Sequence, residues 1–180
     1  HTSDDNMKSV RVDTTSPQVS TVTFASSNLS SDPDYSDALL AKADDMVTLS
    51  FTTDERVEGV EVKINGSSYS AMDMGSGTSW QAEHTVSSGE SADAVAFEIT
   101  SFHDPSGNLL ELSETRSEDE NFFTVRVDTT PPEVTEVSFA SSNTSRDPDL
   151  PDTTLLAKEG DTLTLAFSTS ERVGNAKVMI

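Results

Sequence analysis

The stretch VRVDTTSPQVSTVTFASSN opens at Val10, and VRVDTTPPEVTEVSFASSN opens at Val125. A chain that writes nearly the same residues twice is constrained to fold the same piece twice. The match runs on downstream. SSNLSSDPDYSDALLAKADDMVTLSFTTDERVEGVEVKI pairs with SSNTSRDPDLPDTTLLAKEGDTLTLAFSTSERVGNAKVMI, with one residue added before Leu155-Leu156-Ala157-Lys158. Upstream, MKSVRVD pairs with the FFTVRVD that closes the longer unit. The expected organisation is the last strand of a preceding domain in residues 1–13, a complete domain in 14–128, and the first half of a following domain in 129–180. On this reading the chain is a window on a longer array. The alternative is a half-domain completed by a strand from a neighbouring molecule.

Within the complete repeat, hydrophobicity alternates with a period of two rather than 3.6. Val47, Leu49 and Phe51 alternate with Thr48 and Ser50, and Leu163, Leu165 and Phe167 repeat the pattern. Val60, Val62 and Ile64 alternate with Glu61 and Lys63; Trp80, Ala82 and Val86 share a face opposite Gln81, Glu83 and Thr85. Val95, Phe97 and Ile99 follow, then Phe123, Val125 and Val127. With Val19–Phe24 and Tyr69–Met74 these segments predict seven short strands, separated by clusters of Gly, Asn, Asp, Ser and Pro. One-sided burial of this kind is the mark of two packed antiparallel sheets. The predicted fold is all-β, a β-sandwich in tandem.

The linker VDTTPP, the block LAKEGDTLTLAFSTSERV, the strand GSGTSWQAEHTV and the turn FHDPSGN resemble bacterial-type immunoglobulin-like (cadherin-like) repeats. The resemblance covers essentially the whole chain. It implies tandem sandwiches of about seven strands, strung along secreted adhesins, surface proteins or extracellular filaments, with calcium at the joints between domains. Two departures stand out. His84 occupies a place where such repeats more often carry an aromatic, and the loop SSNLSSDPDYSD is longer and more acidic than usual.

Charge excludes some partners. The formal net charge is −21, and nucleic-acid binding depends on Lys and Arg neutralising phosphates. An acidic chain of this kind repels itself unless salt or divalent cations screen it. There is no Cys, hence no disulfide framework and no thiolate metal site. No apolar run reaches the roughly 20 residues that span a bilayer, so no direct membrane insertion is expected in this segment. HTSDDNMKSV has no apolar stretch of the signal-peptide kind.

The chemistry-bearing residues point to binding rather than catalysis. The histidines are His1, His84 and His103, and neither His84 on its strand nor His103 in its turn has a Ser or Cys partner at a recognised spacing. No active site is expected. Calcium is the sharper expectation. If each strand crosses the domain once, the leading linker and two of the loops gather at one pole. They carry Asp13, then Asp54 and Glu55, then Asp104 and Asn108. Ca²⁺ takes six to eight oxygens, and three acidic loops converging at a joint can supply them. At the next joint Asp128 and Glu171 hold the corresponding places. The competing reading is that these Asp and Asn residues only form their own turns. A second acidic patch, Asp32, Asp34 and Asp37, is matched by Asp147, Asp149 and Asp152; it lacks the EF-hand pattern and reads as a solvated turn.

Asn28, Asn65 and Asn143 fit the N-glycan acceptor pattern N-x-[ST]. Asn28 and Asn143 are the same position in the two repeats, and turn formation is the competing role. Pro131 and Pro132 straight after VDTT make a stiff extended linker, in which Thr129 and Thr130 are candidate O-glycan carriers. Ser113 to Asn121 reads as a charged loop. The function these features imply is structural or adhesive: an extracellular stalk, spacer or filament wall with calcium-stiffened joints. The partners would be neighbouring domains of the same chain. A polymerised, glycosylated extracellular filament built from like chains is the alternative. A carbohydrate-binding accessory module is the third reading, and it would need an exposed aromatic platform that Tyr35, Tyr69 and Trp80 do not obviously form.

Overall fold

The computed structural model describes residues 9–30, 38–91, 94–111 and 115–179. Asp32, Asp34 and Asp37 lie outside the described residues, as do Ser113 and Glu114 of the charged loop. The chain divides into two compact units, His1–Thr129 and Thr130–Ile180. Among the described residues there is no helix, so none is long and apolar enough to cross a membrane.

The first unit is built from alternation. Strand β3 (Met46–Thr53) buries every second residue, placing Val47, Leu49, Phe51 and Thr53 inward. On one side it pairs with β1 (Val19–Ser26), whose Val22 and Phe24 face the same way. On the other it pairs with β7 (Ser79–Thr85), which adds Trp80, Ala82 and His84. The two-residue β6 (Met72–Asp73) completes this sheet in the order β1-β3-β7-β6. A second sheet runs β5-β4-β8-β9: β5 (Ser67–Ser70), β4 (Glu58–Ile64), β8 (Phe97–His103) and β9 (Leu109–Glu111). All pairings within the two sheets are antiparallel. Val60, Val62 and Ile64 of β4 and Phe97, Ile99 and Phe102 of β8 form one core with the inward residues of the first sheet. Two antiparallel sheets sharing a core are compatible with a β-sandwich.

Three details depart from the expected strand list. Residues Tyr69–Met74, read as one strand, are two: β5 pairs with β4, and the chain changes sheet at Ala71 so that β6 pairs with β7. Ala71 marks the crossing, its N–H donating to the Val60 carbonyl at 2.9 Å. The LLAK block forms a further strand, β2 (Ala38–Ala41), which runs parallel to β10 (Thr124–Val127), so the unit is not purely antiparallel. The third addition is β9, a short edge after the FHDPSGN turn. The β4–β5 hairpin turns on Asn65 and Gly66, whose φ values of 47° and 79° are the left-handed pair that Asn-Gly adopts most readily in two-residue hairpins.

Among its described residues the second unit contains one antiparallel pair, β11 (Val134–Ser141) with β12 (Leu163–Thr169). Its register repeats that of β1 and β3 pair for pair. Val22↔Phe51 and Phe24↔Leu49 recur as Val137↔Phe167 and Phe139↔Leu165, and both ladders carry a bulge at their first pair. The apolar face that is covered in the first unit is open here: Phe24 is 3 % exposed, and its counterpart Phe139 is 48 % exposed.

Candidate metal centre

Three carboxylates spread over residues 13–104 of the sequence meet in the first unit. Single oxygens of Asp13, Glu55 and Asp104 all lie within 4.8 Å of one another. Asp13 comes from the segment before β1, Glu55 from the turn between β3 and β4, and Asp104 from the turn between β8 and β9. Oxygens on opposite sides of a Ca²⁺ ion, at its usual 2.3–2.6 Å, stand roughly 4.6–5.2 Å apart. The spacing therefore suits oxygens shared by one such cation.

Each side chain is set by local bonding. Asp104 is buried, and its Oδ1 accepts the N–H groups of Ser106 and Asn108, each at 2.8 Å. Its backbone closes the same turn, accepting from Gly107 N–H at 3.0 Å, and Gly107 takes a φ of 90°. The Asn108 amide donates to Asp104 Oδ2 at 2.8 Å and to the Asp13 backbone carbonyl at 3.3 Å, tying the leading segment to this turn. Asp13 Oδ1 accepts from Thr15 N–H at 3.1 Å. Glu55 is held through its backbone, whose carbonyl accepts from the buried Thr53 hydroxyl at 2.6 Å.

The electrostatics divide the cluster. Burial, together with Asp13, Asp104 and Asp54, pushes the Glu55 carboxyl above its ordinary range, against the opposing charge of Arg11. Burial acts in the same sense on Asp104, but the Asn108 side chain and the turn's N–H groups outweigh it and hold that carboxyl low. Glu55 is thus the member that bears the repulsion, and a bound cation would relieve it.

Not every expected ligand joins the triad. Asp54 Oδ1 accepts from Gln18 N–H at 2.7 Å, and its own N–H donates to the Gln18 carbonyl at 3.0 Å. It acts on the cluster by charge and fastens the start of β1. Asn108 is at the site as a donor. Asp128 follows β10 in the first unit, its N–H donating to the Ala41 carbonyl at 3.0 Å. Glu171 follows β12 in the second unit, where its carbonyl accepts from Thr169 at 2.6 Å, the same arrangement as Glu55 with Thr53. In the matched acidic patch, Asp152 pairs with Arg146 at 2.8 Å and Asp147 accepts from Asp149 N–H at 3.0 Å.

Each of the three sequon asparagines donates to a different carboxylate. Asn28 Nδ2 donates to Asp45 Oδ2 and Asn143 Nδ2 to Asp161 Oδ2, each at 3.0 Å, and Asn65 Nδ2 donates to Glu90 Oε1. All three are half-buried. His84 has partners that no sequence spacing revealed, the Tyr69 hydroxyl and Glu90, and its inward position on β7 was the only signal. His103 closes β8 so near Gly59 that a Cβ there would come within 3.0 Å of its ring. Compared with known proteins, no family model, no curated protein and no solved structure matches this chain.

Proposed function

We propose that the chain belongs to an extracellular surface protein in which immunoglobulin-like β-sandwich repeats follow one another as a stalk, spacer or filament wall. One observation carries this reading. The β1–β3 register, bulge included, recurs residue for residue in β11–β12. A duplicated fold element with an apolar face on one side is the unit of a repeat architecture, because each repeat buries its core only when its second sheet is present. Such an array has length as its product. Its chemistry is confined to joints.

In this account the Asp13, Glu55 and Asp104 carboxylates are ligands for one divalent cation, with calcium favoured because the donors are all hard oxygens. Binding there would pin the leading segment to two turns of the unit and stiffen its approach. Of the aromatics that a carbohydrate platform would need, Trp80 is buried, the Tyr69 hydroxyl bonds to His84, and Tyr35 lies outside the described residues. The test is small-angle scattering on chains carrying increasing numbers of the repeat, with calcium present. The spacer reading expects maximum dimension to rise by a constant increment per repeat. A size that grows like that of a collapsed or freely jointed chain would contradict it.

A further inference from the structure

We propose that Tyr69, His84 and Glu90 form an acid-labile latch that holds Thr129, the residue leading into the Pro131-Pro132 linker, against the first unit. The latch is independent of the metal cluster. It joins both sheets: Tyr69 stands on β5, Asn65 in the β4–β5 turn, His84 on β7, and Glu90 in the loop after β7. His84 is buried, with Nδ1 2.7 Å from the Tyr69 hydroxyl and Nε2 2.8 Å from Glu90 Oε1. Asn65 Nδ2 donates to the same Glu90 oxygen, and Ser87 N–H donates to Oε2 at 2.9 Å.

The donor inventory fixes the protons. An ionised carboxylate only accepts, so His84 Nε2 carries a hydrogen and donates to Glu90. In the neutral ring Nδ1 then accepts from the Tyr69 hydroxyl. When the ring gains a proton, that one bond reverses, Nδ1–H donating to the Tyr69 oxygen, and the imidazolium faces the Glu90 carboxylate. Both histidine states are therefore satisfied while Glu90 is ionised. Protonating Glu90 is different. A neutral Glu90 is a weaker acceptor for the Asn65, His84 and Ser87 donors than the carboxylate, and opening the loop returns those donors to water.

The loop carries the effect to the linker. Thr129 Oγ1 donates to the Glu90 carbonyl at 2.9 Å and accepts from Gly89 N–H at 3.1 Å. Glu90 N–H donates to the Ser87 carbonyl at 3.2 Å, and Gly89 takes a φ of 82°, so the turn that presents both Thr129 bonds is the one the carboxylate organises. Among the described residues, the groups facing Glu90 are Asn65, His84 with Tyr69 behind it, and the Ser87 amide. Burial pushes its carboxyl up, and these donors outweigh burial to hold it low. The sign follows. A carboxyl depressed in the folded state stabilises the latch above the ordinary carboxylate range, and that contribution is lost as pH falls through the depressed value.

The test is amide hydrogen exchange on the whole chain between pH 7 and pH 3, expressed as protection relative to the unfolded rate. The Gly89 amide should lose about tenfold or more of its protection below about pH 4, while amides of β3 and β7 keep theirs. In Glu90→Gln the acid step should vanish, with Gly89 poorly protected throughout. In Tyr69→Phe, which leaves the carboxylate in place, the step should persist. Loss of protection at Gly89 and in the core together, in the unsubstituted chain, would overturn the latch, as would an acid step surviving in Glu90→Gln. These outcomes concern the first unit alone, so they are separate from the fate of the spacer reading.

Discussion

Phe24 of β1 and Phe97 of β8 meet across the core of the first unit, one from each sheet, with ring centroids 5.1 Å apart and planes tilted by 46°. Both rings are buried, and the Arg116 guanidinium lies over Phe97 at 5.9 Å from its centroid. Removing either ring leaves a cavity between two sheets that cannot close without moving both. Phe24→Ala should cost about 3–5 kcal/mol of stability, read by chemical denaturation with Trp80 fluorescence as the probe. The repeat supplies a control: Phe139→Ala, at the equivalent but exposed position, should leave that transition within roughly 0.5 kcal/mol. A Phe24→Ala transition as stable as the unsubstituted one would contradict the shared core.

Glu55 gives a prediction with a definite sign. Its carboxyl is raised, first by burial and then by Asp13, Asp104 and Asp54, so the folded unit favours the protonated form. Without a cation, stability is present at low pH and lost as pH rises through the raised value. Glu55→Gln should therefore raise the melting temperature at pH 7 in chelator by a few degrees. Millimolar Ca²⁺ should raise the melting temperature of the unsubstituted chain and leave the variant nearly unmoved. Equal calcium shifts in both chains would remove Glu55 from the site.

Asp104 should behave in the opposite sense. Its carboxyl is held low because the Asn108 side chain and the turn's N–H groups outweigh burial, so its contribution is present at neutral pH and lost in acid. Asp104→Ala leaves the Ser106 and Asn108 N–H groups without their acceptor and should lower the melting temperature at pH 7 with or without calcium. The loss should shrink as pH falls towards 3. A pH-independent loss would mean that shape, not charge, carries the effect.

How much of this was legible beforehand depends on the local signal. Strong alternation made β3, β4, β7 and β8 readable, and the repeat itself made β11 and β12 readable. The short β2 escaped because Ala38-Leu39-Leu40-Ala41 is apolar throughout and does not alternate, so it carries no period-two signal. The change of sheet at Ala71 escaped because β5 and β6 are largely exposed, leaving no burial pattern to break. At the candidate site, counting strand crossings was enough to bring Asp13, Glu55 and Asp104 to one pole. It did not distinguish Asp54, whose carboxylate turns to Gln18, from Glu55 beside it, because that choice rests on one hydrogen bond.

Asn28 should matter without any glycan. Its amide bridges Asp45, and its Oδ1 accepts from Ser30 N–H at 2.9 Å. Asp45 in turn accepts from Lys42 N–H at 2.8 Å and from Lys42 Nζ at 2.9 Å. Asn28→Ala in protein made without N-glycosylation should cost about 1 kcal/mol by denaturant titration. An unchanged midpoint would show the network to be dispensable and leave the sequon as the residue's only role.

Gly77 is constrained by backbone and neighbour together. Its φ is 68°, and a Cβ there would stand 2.7 Å from Arg56 Cγ. Gly107, also left-handed at 90°, has open space around it. Gly77→Ala should cost about 1 kcal/mol for the backbone and more for the clash, exceeding Gly107→Ala. Adding Arg56→Ala to Gly77→Ala should recover the excess. Equal costs at the two glycines would show that Arg56 simply moves aside.

A stalk, spacer or filament wall requires these units to be strung in line. Electron microscopy of the material as isolated from its source tests that most directly. Strands of about eight residues at ~3.3 Å each, with loops at both poles, predict beads spaced by roughly 35–45 Å along thin threads or along the axis of a filament wall. Compact particles with no axial repeat near that spacing would contradict it.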